Sequence, residues 1–390
     1  MIATFWISLF IVFYAFIGYG LLLFILVKIK RFISGKPVLP PAVNLPGCTL
    51  IVAAYNEEAF IEQKIQNTLG LIYPDDKLKF IFVTDGSTDD TAAIVSKYPQ
   101  IVHLHNDARM GKMAAVHRAR AIVDTDVIVF TDANTFLNAG AMVNICRHYA
   151  DPKVGAVAGE KRVASTEAAD ATAGEGFYWK YESKLKAWDS ELYSVVGAAG
   201  ELFSVRTELY QPVPSNAIID DFMISMLIAK RGYKIVYEPE AYASETASED
   251  VKEELKRKIR IAAGGLQSII WLKSLLLPFK LPLLSFQYIS HRVLRWTVVP
   301  FLMILVLILN ILIVCRGDAG FIYRLILLGQ IAFYGTSVLG WILMAQQIKI
   351  KIFFIPYYFS MMNYAVIRGI FRYLTGNQSA VWEKAKRKVV

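Results

Sequence analysis

Cys48-Thr49-Leu50-Ile51-Val52-Ala53-Ala54 is a short apolar run that stops abruptly at Tyr55-Asn56-Glu57-Glu58. A run of this length, bounded by polar residues, reads as a strand buried on both faces. Glu58 to Leu69 then has helical spacing. The same alternation continues downstream: a strand at Lys79 to Thr84 and a helix at Asp89 to Lys97, then a strand at Ile101 to Leu104 and a helix at Lys112 to Val123. A fourth strand follows at Val127 to Thr131. Strands alternating with helices at this spacing predict an α/β fold, with a mostly parallel sheet covered by helices on both faces.

In such folds ligands bind outside the carboxyl ends of the strands. The first strand ends in Ala54-Tyr55-Asn56-Glu57-Glu58 and the second in Thr84-Asp85-Gly86-Ser87-Thr88-Asp89. The third is followed by Arg109-Met110-Gly111-Lys112, and the fourth ends in Thr131-Asp132-Ala133-Asn134-Thr135. Asp85 and Asp89 also suit turn and cap roles. Capping does not explain an acid at strand end after strand end, so the four termini together point to a nucleotide site with a bound cation. A nucleotide diphosphate and a carboxylate repel each other unless a divalent metal binds both through hard oxygen ligands. Asp132 and Asn134, two residues apart, are the candidate ligands, and Mg²⁺ or Mn²⁺ the candidate ions.

Outward from this core the composition changes. Hydrophobic residues make up 55% of the 390 residues, the mean hydropathy is +0.41 and the net charge is +9. The excess apolar content sits at the two ends. Thr4 to Val27 carries no charge and is long enough to cross a hydrocarbon core of about 30 Å. It lacks the basic start and small-residue cleavage pattern of a signal peptide. Lys28, Lys30, Arg31 and Lys36 follow it. By the positive-inside tendency the N-terminus is expected outside and the next segment cytosolic. Val298 to Cys315 and Phe321 to Met344, joined by Arg316-Gly317-Asp318-Ala319-Gly320, read as a hairpin of spans that returns to Lys349 and Lys351. Leu275 to Trp296, broken by Pro278 and Pro282, reads as interfacial, and Phe353 to Leu374, with Arg368 and Arg372, as interfacial or partly inserted.

The expected organisation is therefore a transmembrane helix at 1–30, a cytosolic domain at 31–270 and an interfacial region at 271–296. A transmembrane hairpin at 297–345 and an interfacial helix with a basic cytosolic tail at 346–390 complete it. The basic residues flank apolar segments, which favours membrane orientation and lipid contact over nucleic-acid binding. The three cysteines and five histidines form no disulfide or zinc spacing. A strand position for His103 and His105 favours a structural role.

Ile51-Val52-Ala53-Ala54-Tyr55-Asn56-Glu57-Glu58, taken with Val83-Thr84-Asp85-Gly86-Ser87-Thr88-Asp89-Asp90-Thr91, resembles the family 2 glycosyltransferases. The order of one N-terminal span, a catalytic domain and C-terminal hydrophobic helices is similar to the family's membrane-bound branch of hyaluronan, cellulose, chitin and poly-N-acetylglucosamine synthases. The resemblance implies a GT-A (Rossmann-like) fold and inverting transfer from a nucleotide-sugar donor, UDP-linked by expectation, to a glycan or lipid-linked acceptor in polysaccharide or glycolipid synthesis. It implies nucleotide contacts from Ala54, Tyr55, Glu57, Asp85, Lys112 and Asp132. It aligns Asp132-Ala133-Asn134 with the metal-binding Asp-x-Asp position, the second acid here being a neutral amide. Ile219-Asp220-Asp221-Phe222, ahead of a helix at Met223 to Lys230, matches the catalytic Thr-Glu-Asp position. Asp221 is then the general base, with Asp220 beside it. Gly200 and Glu201, in Gly197-Ala198-Ala199-Gly200-Glu201-Leu202, fall on the acceptor side.

Where processive members carry Gln-x-x-Arg-Trp, this chain has Arg257-Lys258-Ile259-Arg260-Ile261. Arg257 and Arg260 suit the leaving diphosphate, but Ile261 cannot stack on a sugar as Trp does. That departure favours addition of one or a few sugars over a processive, translocating synthase. Gly376-Asn377-Gln378, Trp382 and Arg387 resemble the branch's C-terminal pattern, and exopolysaccharide-machinery partners would follow from membership of it. A non-catalytic nucleotide-binding scaffold is the competing class. Retention of Asp132 and Asp221 argues against it, and the lack of a Walker motif argues against a nucleotide-driven transporter.

Overall fold

In the computed structural model, which describes residues 1–164, 173–246, 251–317, 320–346, 348 and 350–376, β1 (Cys48–Ala54) is buried along nearly its whole length. Parallel neighbours on both edges account for this: β2 (Leu78–Asp85) on one side and β4 (Val127–Asp132) on the other, with β3 (Val102–Asn106) parallel beyond β2. Alternate side chains go to opposite faces. Val52, Ala54 and Phe82 pack with Ile61 and Ile65 of α2 (Glu58–Leu69) and Val95 of α3 (Thr91–Val95). Ile51, Ile81 and Val83 pack with Met113 and Val116 of α4 (Lys112–Ala121). Burial on both faces is why these strands read as unbroken apolar runs.

The second half of the sheet is mixed. The strand order is β3-β2-β1-β4-β7-β6-β8-β5. β7 (Leu202–Arg206) runs antiparallel to both β4 and β6 (Val154–Ala164). β8 (Lys234–Thr246) is parallel to β6, and the short β5 (Phe136–Leu137) closes the edge. Two consequences position the site. The chain direction of the winding switches between β1 and β4, which opens a crevice at their carboxyl ends. The antiparallel β4–β7 pair sets Thr131 opposite Leu202, so the end of β4 and the start of β7 bring Asp132 and Gly200-Glu201 to one place.

α7 (Asp220–Lys230) starts three residues earlier than the sequence pattern suggests. Asp220 and Asp221 form its first turn, where the helix dipole favours acids.

The hydrophobic ends are helical. α1 (Ile2–Ser34) is a single 33-residue helix with a π-turn at Tyr14–Gly18. After α5 (Ala141–Cys146), α6 (Ala173–Leu192) and α8 (Val251–Trp271) come α9 (Pro282–Trp296) and α10 (Val299–Cys315), bent 59° at their junction. α11 (Phe321–Ala345) and α12 (Lys351–Leu374) follow. Among the described residues α1 and α11 are long and apolar enough to cross a membrane, and the bent α9–α10 pair makes a third if it counts as one span. α12 falls outside that set. It packs on α8, and a Cβ at Gly369 would stand 2.6 Å from the Ala262 Cβ. The expectations on Lys349, Asn377, Gln378, Trp382, Arg387 and the basic tail lie outside the described residues.

A buried ionic network ties α6 to the membrane-type helices. His291 lies between Asp189 (2.5 Å) and Glu182 (3.0 Å). Arg292 and Arg295 reach Glu182 at 2.7 and 3.3 Å. Asp189 also accepts from Tyr19 of α1 and from Gln287 at 3.0 Å. Burial pushes the Glu182 carboxyl up, but Arg292, His291 and Arg295 outweigh it and hold it well below the usual range.

Candidate active site

The β1–β2 rim is locked by its own chain. The Asn56 backbone has φ 54°, and its Oδ1 accepts from Thr88 N at 2.8 Å. The Glu57 amide donates to Thr91 Oγ1 (2.8 Å). The Arg109 guanidinium lies 3.8 Å over the Tyr55 ring. Asp85 is buried, with Oδ2 accepting from the Met110 and Gly111 amides (2.9 and 2.6 Å) and Oδ1 from Arg118 (2.8 Å). Asp85 thus fixes the loop that leads into Lys112. Gly86 is held at φ 69°, where a Cβ would stand 2.6 Å from the Arg109 amide. The residues expected to meet the base and ribose, Ala54, Tyr55, Glu57 and Asp85, gather on this rim but do not line the central cavity.

That cavity, about 330 Å³ in volume, is lined by Lys112, Asp132, Gly200, Glu201, Asp220, Asp221, Arg257 and Arg260. Lys112 donates to Asp132 Oδ1 at 2.9 Å. Burial pulls the Lys112 ammonium down, yet Asp132, Asp220 and Asp221 outweigh it and hold it above its ordinary range. Asp221 is half-buried, and its carboxyl is pushed up to about 7 by desolvation and by Asp220, against Lys112 and the Phe222 amide. Gly200 is what allows this proximity. A Cβ there would stand 3.2 Å from Asp221 Oδ2 and 3.7 Å from Lys112 Nζ.

The two arginines differ. Arg257 is committed to an ion cluster with Glu201 (3.1 Å) and Glu245 (3.5 Å), which Lys161 also joins through Glu201 (2.7 Å) and Glu245. Lys161 and Arg257 hold the Glu201 carboxyl below its usual range although burial pushes it up. Arg260 has no hydrogen bond or ion pair among the described residues. Burial lowers its guanidinium, opposed by Asp220 and Asp221. Of the two, Arg260 is the open cation.

The expected cation can be tested against the residues present. Asp132 lines the cavity, and Asn134 Oδ1 is buried without a hydrogen-bond partner among the described residues. A carboxylate and an orphaned amide oxygen suit a hard divalent ion whose remaining ligands come from a diphosphate. Asn134 does not itself line the cavity. No group of three or more His, Cys, Asp or Glu among the described residues could hold a metal unaided.

Several residues carry no sequence signal. Lys64 is fully buried behind the 131–135 turn and donates to Thr131 Oγ1 (3.1 Å) and Thr135 O (2.7 Å). Thr131 Oγ1 in turn reaches Glu201 O at 2.9 Å. Lys64 therefore braces the turn that bears Asp132 and Asn134. Burial pulls its ammonium down to about 7, against Asp132. We expect Lys64→Met to strand the Thr135 carbonyl and cost about 1–3 kcal/mol, read as a lowered unfolding temperature in detergent. An unchanged unfolding temperature would remove Lys64 from this bracing role.

Trp296 is another such residue. It lines the cavity and packs on Phe222, ring centroids 5.2 Å apart. The cavity thus has an aromatic wall even though Ile261 stands at the Trp position of the sequence motif, so the missing motif Trp does not leave the site without one. Only its place in the fold could reveal this, because α9 lies far beyond the motif.

Residues 49–213 match the family model described as Glycosyl transferase family 2. Poly-beta-1,6-N-acetyl-D-glucosamine synthase of Staphylococcus aureus (strain COL) is 28% identical over 241 residues, 58% of this chain and 57% of the relative. The probable glycosyltransferase YdaM of Bacillus subtilis (strain 168) is 26% identical over 238 residues, 57% of this chain and 56% of the relative. The chain thus spans a little over half the length of the curated relatives it matches. The solved structure of a mannosyltransferase, PcManGT from Pyrobaculum calidifontis in complex with GDP-Man and Mn²⁺, superposes with a TM-score of 0.70 at 23% identity, over 96% of this chain and all of that one. That likeness establishes the GT-A fold.

Proposed function

We propose, from the premise that this chain is a family 2 glycosyltransferase through its domain at residues 49–213, that it moves a sugar from a nucleotide diphosphate donor to an acceptor hydroxyl with inversion. Asp221 is the base. The observation that carries the reading is the placing of the Asp221 carboxyl at the cavity wall, close to Gly200 and Lys112, where burial and Asp220 push it up. A base poised near neutrality suits proton abstraction from a hydroxyl.

In one displacement the acceptor oxygen gives its proton to Asp221 and bonds to the anomeric carbon. The bond from that carbon to the diphosphate breaks, and the diphosphate leaves with the electron pair. Arg260 and Lys112 stabilise the charge that grows on it. Asp132 and Asn134 would hold Mg²⁺ or Mn²⁺, which supplies charge neutralisation for the diphosphate. Ala54, Tyr55, Glu57 and Asp85 form and support the nucleotide rim. Arg257 and Glu201 shape the acceptor side through their shared ion cluster.

The similarity to a poly-N-acetylglucosamine synthase supports polysaccharide synthesis as the broad process, with a UDP-sugar as donor. The apolar helices α1 and α11 and the basic residues after α1 support an integral membrane protein with its catalytic domain cytosolic and its N-terminus outside. In that arrangement α12 is interfacial.

The test is donor turnover by the full chain in nanodiscs with UDP- and GDP-sugars. We expect nucleotide diphosphate release with Mg²⁺ or Mn²⁺ and its loss on EDTA treatment, restored by added metal. Release that persists in EDTA would remove the metal from the reading. The absence of both binding and turnover with every donor would overturn the whole assignment.

A further inference from the structure

Trp296 is the last residue of α9, and the chain turns away directly after it. Thr297 leaves the helix at φ −133° and ψ −79°, and α10 departs at 59°. Three neighbours hold the indole at this corner. Phe222, the residue after Asp221, lies with its ring centroid 5.2 Å away and its plane tilted by 55°. Arg292, four residues back on α9, stands 5.5 Å from the ring centroid and is tied to Glu182 at 2.7 Å. The backbone of α8 comes close at Gly265, where a Cβ would stand 2.6 Å from Trp296 Cε3. Glycine is unfavourable inside a helix. Here it makes the room that the indole fills.

Gly265 lies four residues beyond Ile261, one turn further along the same face of α8. Ile261 stands where processive members carry the motif Trp, and Ile261 and Trp296 both line the cavity. This wall therefore has an aromatic group next to the motif position, brought there by a different helix.

Packing alone does not account for the indole. It remains partly exposed, and it borders the same cavity as Asp220 and Asp221. The other tryptophan of the cavity, Trp179, already has the Lys161 and Lys258 ammoniums 5.7 and 5.3 Å from its ring centroid. A pyranose carries C–H groups on its ring faces and hydroxyls around its edge. Its C–H groups suit the negative face of an indole. A sugar ring laid on Trp296 is one side chain away from Asp221, because Phe222 joins the two.

We propose that Trp296 is the acceptor platform: it stacks on the terminal pyranose of the acceptor and so selects a cyclic sugar over an open-chain polyol. This rests on the transferase reading above. With a platform at Trp296, Ile261 no longer weighs against repeated addition.

The full chain in nanodiscs is offered cellotetraose, chitotetraose and mannotetraose, with glucitol as the ring-free control. Saturation-transfer NMR reads binding without donor, and transfer from the UDP- or GDP-sugar that is turned over gives separate acceptor and donor KM values. We expect a tetraose to receive saturation at its ring C–H protons and glucitol to receive none. Trp296→Leu should abolish that saturation and raise the acceptor KM about fivefold to tenfold, with the donor KM unchanged. Trp296→Phe should keep both. Ile261→Trp added to Trp296→Leu should recover most of the loss, a rescue that a purely structural role for Trp296 does not provide. Should Trp296→Leu fail to fold, the 5-fluorotryptophan resonance of Trp296, assigned with Trp296→Phe, decides: it should shift with a tetraose and stay still with glucitol.

An unchanged acceptor KM in Trp296→Leu overturns the platform, as does a donor KM that rises in step with it. So does a failure of every tetraose to bind, or glucitol binding as well as they do. If no donor is turned over with any acceptor, the transferase reading falls. The saturation pattern of Trp296→Leu then decides the platform alone: its loss supports the stacking contact and its persistence removes it.

Discussion

Asp221→Asn is expected to lower sugar transfer by about 10²- to 10⁴-fold, the range for losing a positioned general base, with donor affinity close to that of the unaltered protein. The change keeps the side chain's shape and removes only its ability to take a proton. The Lys112–Asp132 pair, 2.9 Å apart, does not depend on the Asp221 carboxylate, and the nucleotide rim lies outside the cavity that Asp221 lines. Binding and chemistry should therefore separate.

The pH profile gives the proposed base a second signature. The Asp221 carboxyl is pushed up to about 7 by burial and by Asp220, and only its ionised form accepts a proton. In the unaltered protein kcat/KM should rise as pH increases through about 7 and level off above it. A flat profile between pH 6 and 8, or an Asn variant with near-normal rate, would move the base elsewhere.

The second large effect is expected from Gly197→Ala. Gly197 has φ 80°, and a Cβ there would overlap the Phe222 ring. An L-residue in the left-handed region costs about 1–2 kcal/mol, and overpacking adds about 1–3 kcal/mol. The harm should not stop at stability. Phe222 follows Asp221 directly and packs on Trp296, and Ser225 accepts the neighbouring Ala198 amide at 2.9 Å. Relief of the clash must move the first turn of α7, and with it Asp221. A lowered unfolding temperature together with weakened transfer is the expected result. A variant with both intact would show that the loop can yield without disturbing α7.

The parallel half of the sheet was legible because parallel strands are buried on both faces and appear as continuous apolar runs. β1, β2 and β4 match the sequence reading to within a residue or two. The antiparallel β7 was not legible as a partner of β4, because pairing between residues 131 and 202 leaves no local trace. Yet that pairing brings Glu201 to Asp132. The acids and cations of the cavity could be named from motif positions, but their commitments could not. Arg257 and Arg260 are three residues apart and look alike in sequence. One is neutralised by Glu201 and Glu245, whereas the other is open. Lys64 was invisible for a related reason, since an amphipathic helix with a lysine in it gives no sign that the lysine faces inward.

The ionic latch on α6 bears on how the molecule comes into being. During synthesis α6 is complete long before its partners exist, since His291 lies 102 residues after Asp189 and 109 after Glu182. Until the ribosome has delivered α9, Asp189 can meet Tyr19 of the first helix, whereas the described ion-pair partners of Glu182 all lie on α9. A nascent chain can therefore close its sheet early and already hold the end of α6 through Arg31 and Glu191 (2.6 Å), but the buried Glu182–Asp189 stretch of α6 waits for the later hydrophobic segment. A chain whose α9 is not seated would leave Glu182 without the cations that neutralise it in the folded protein.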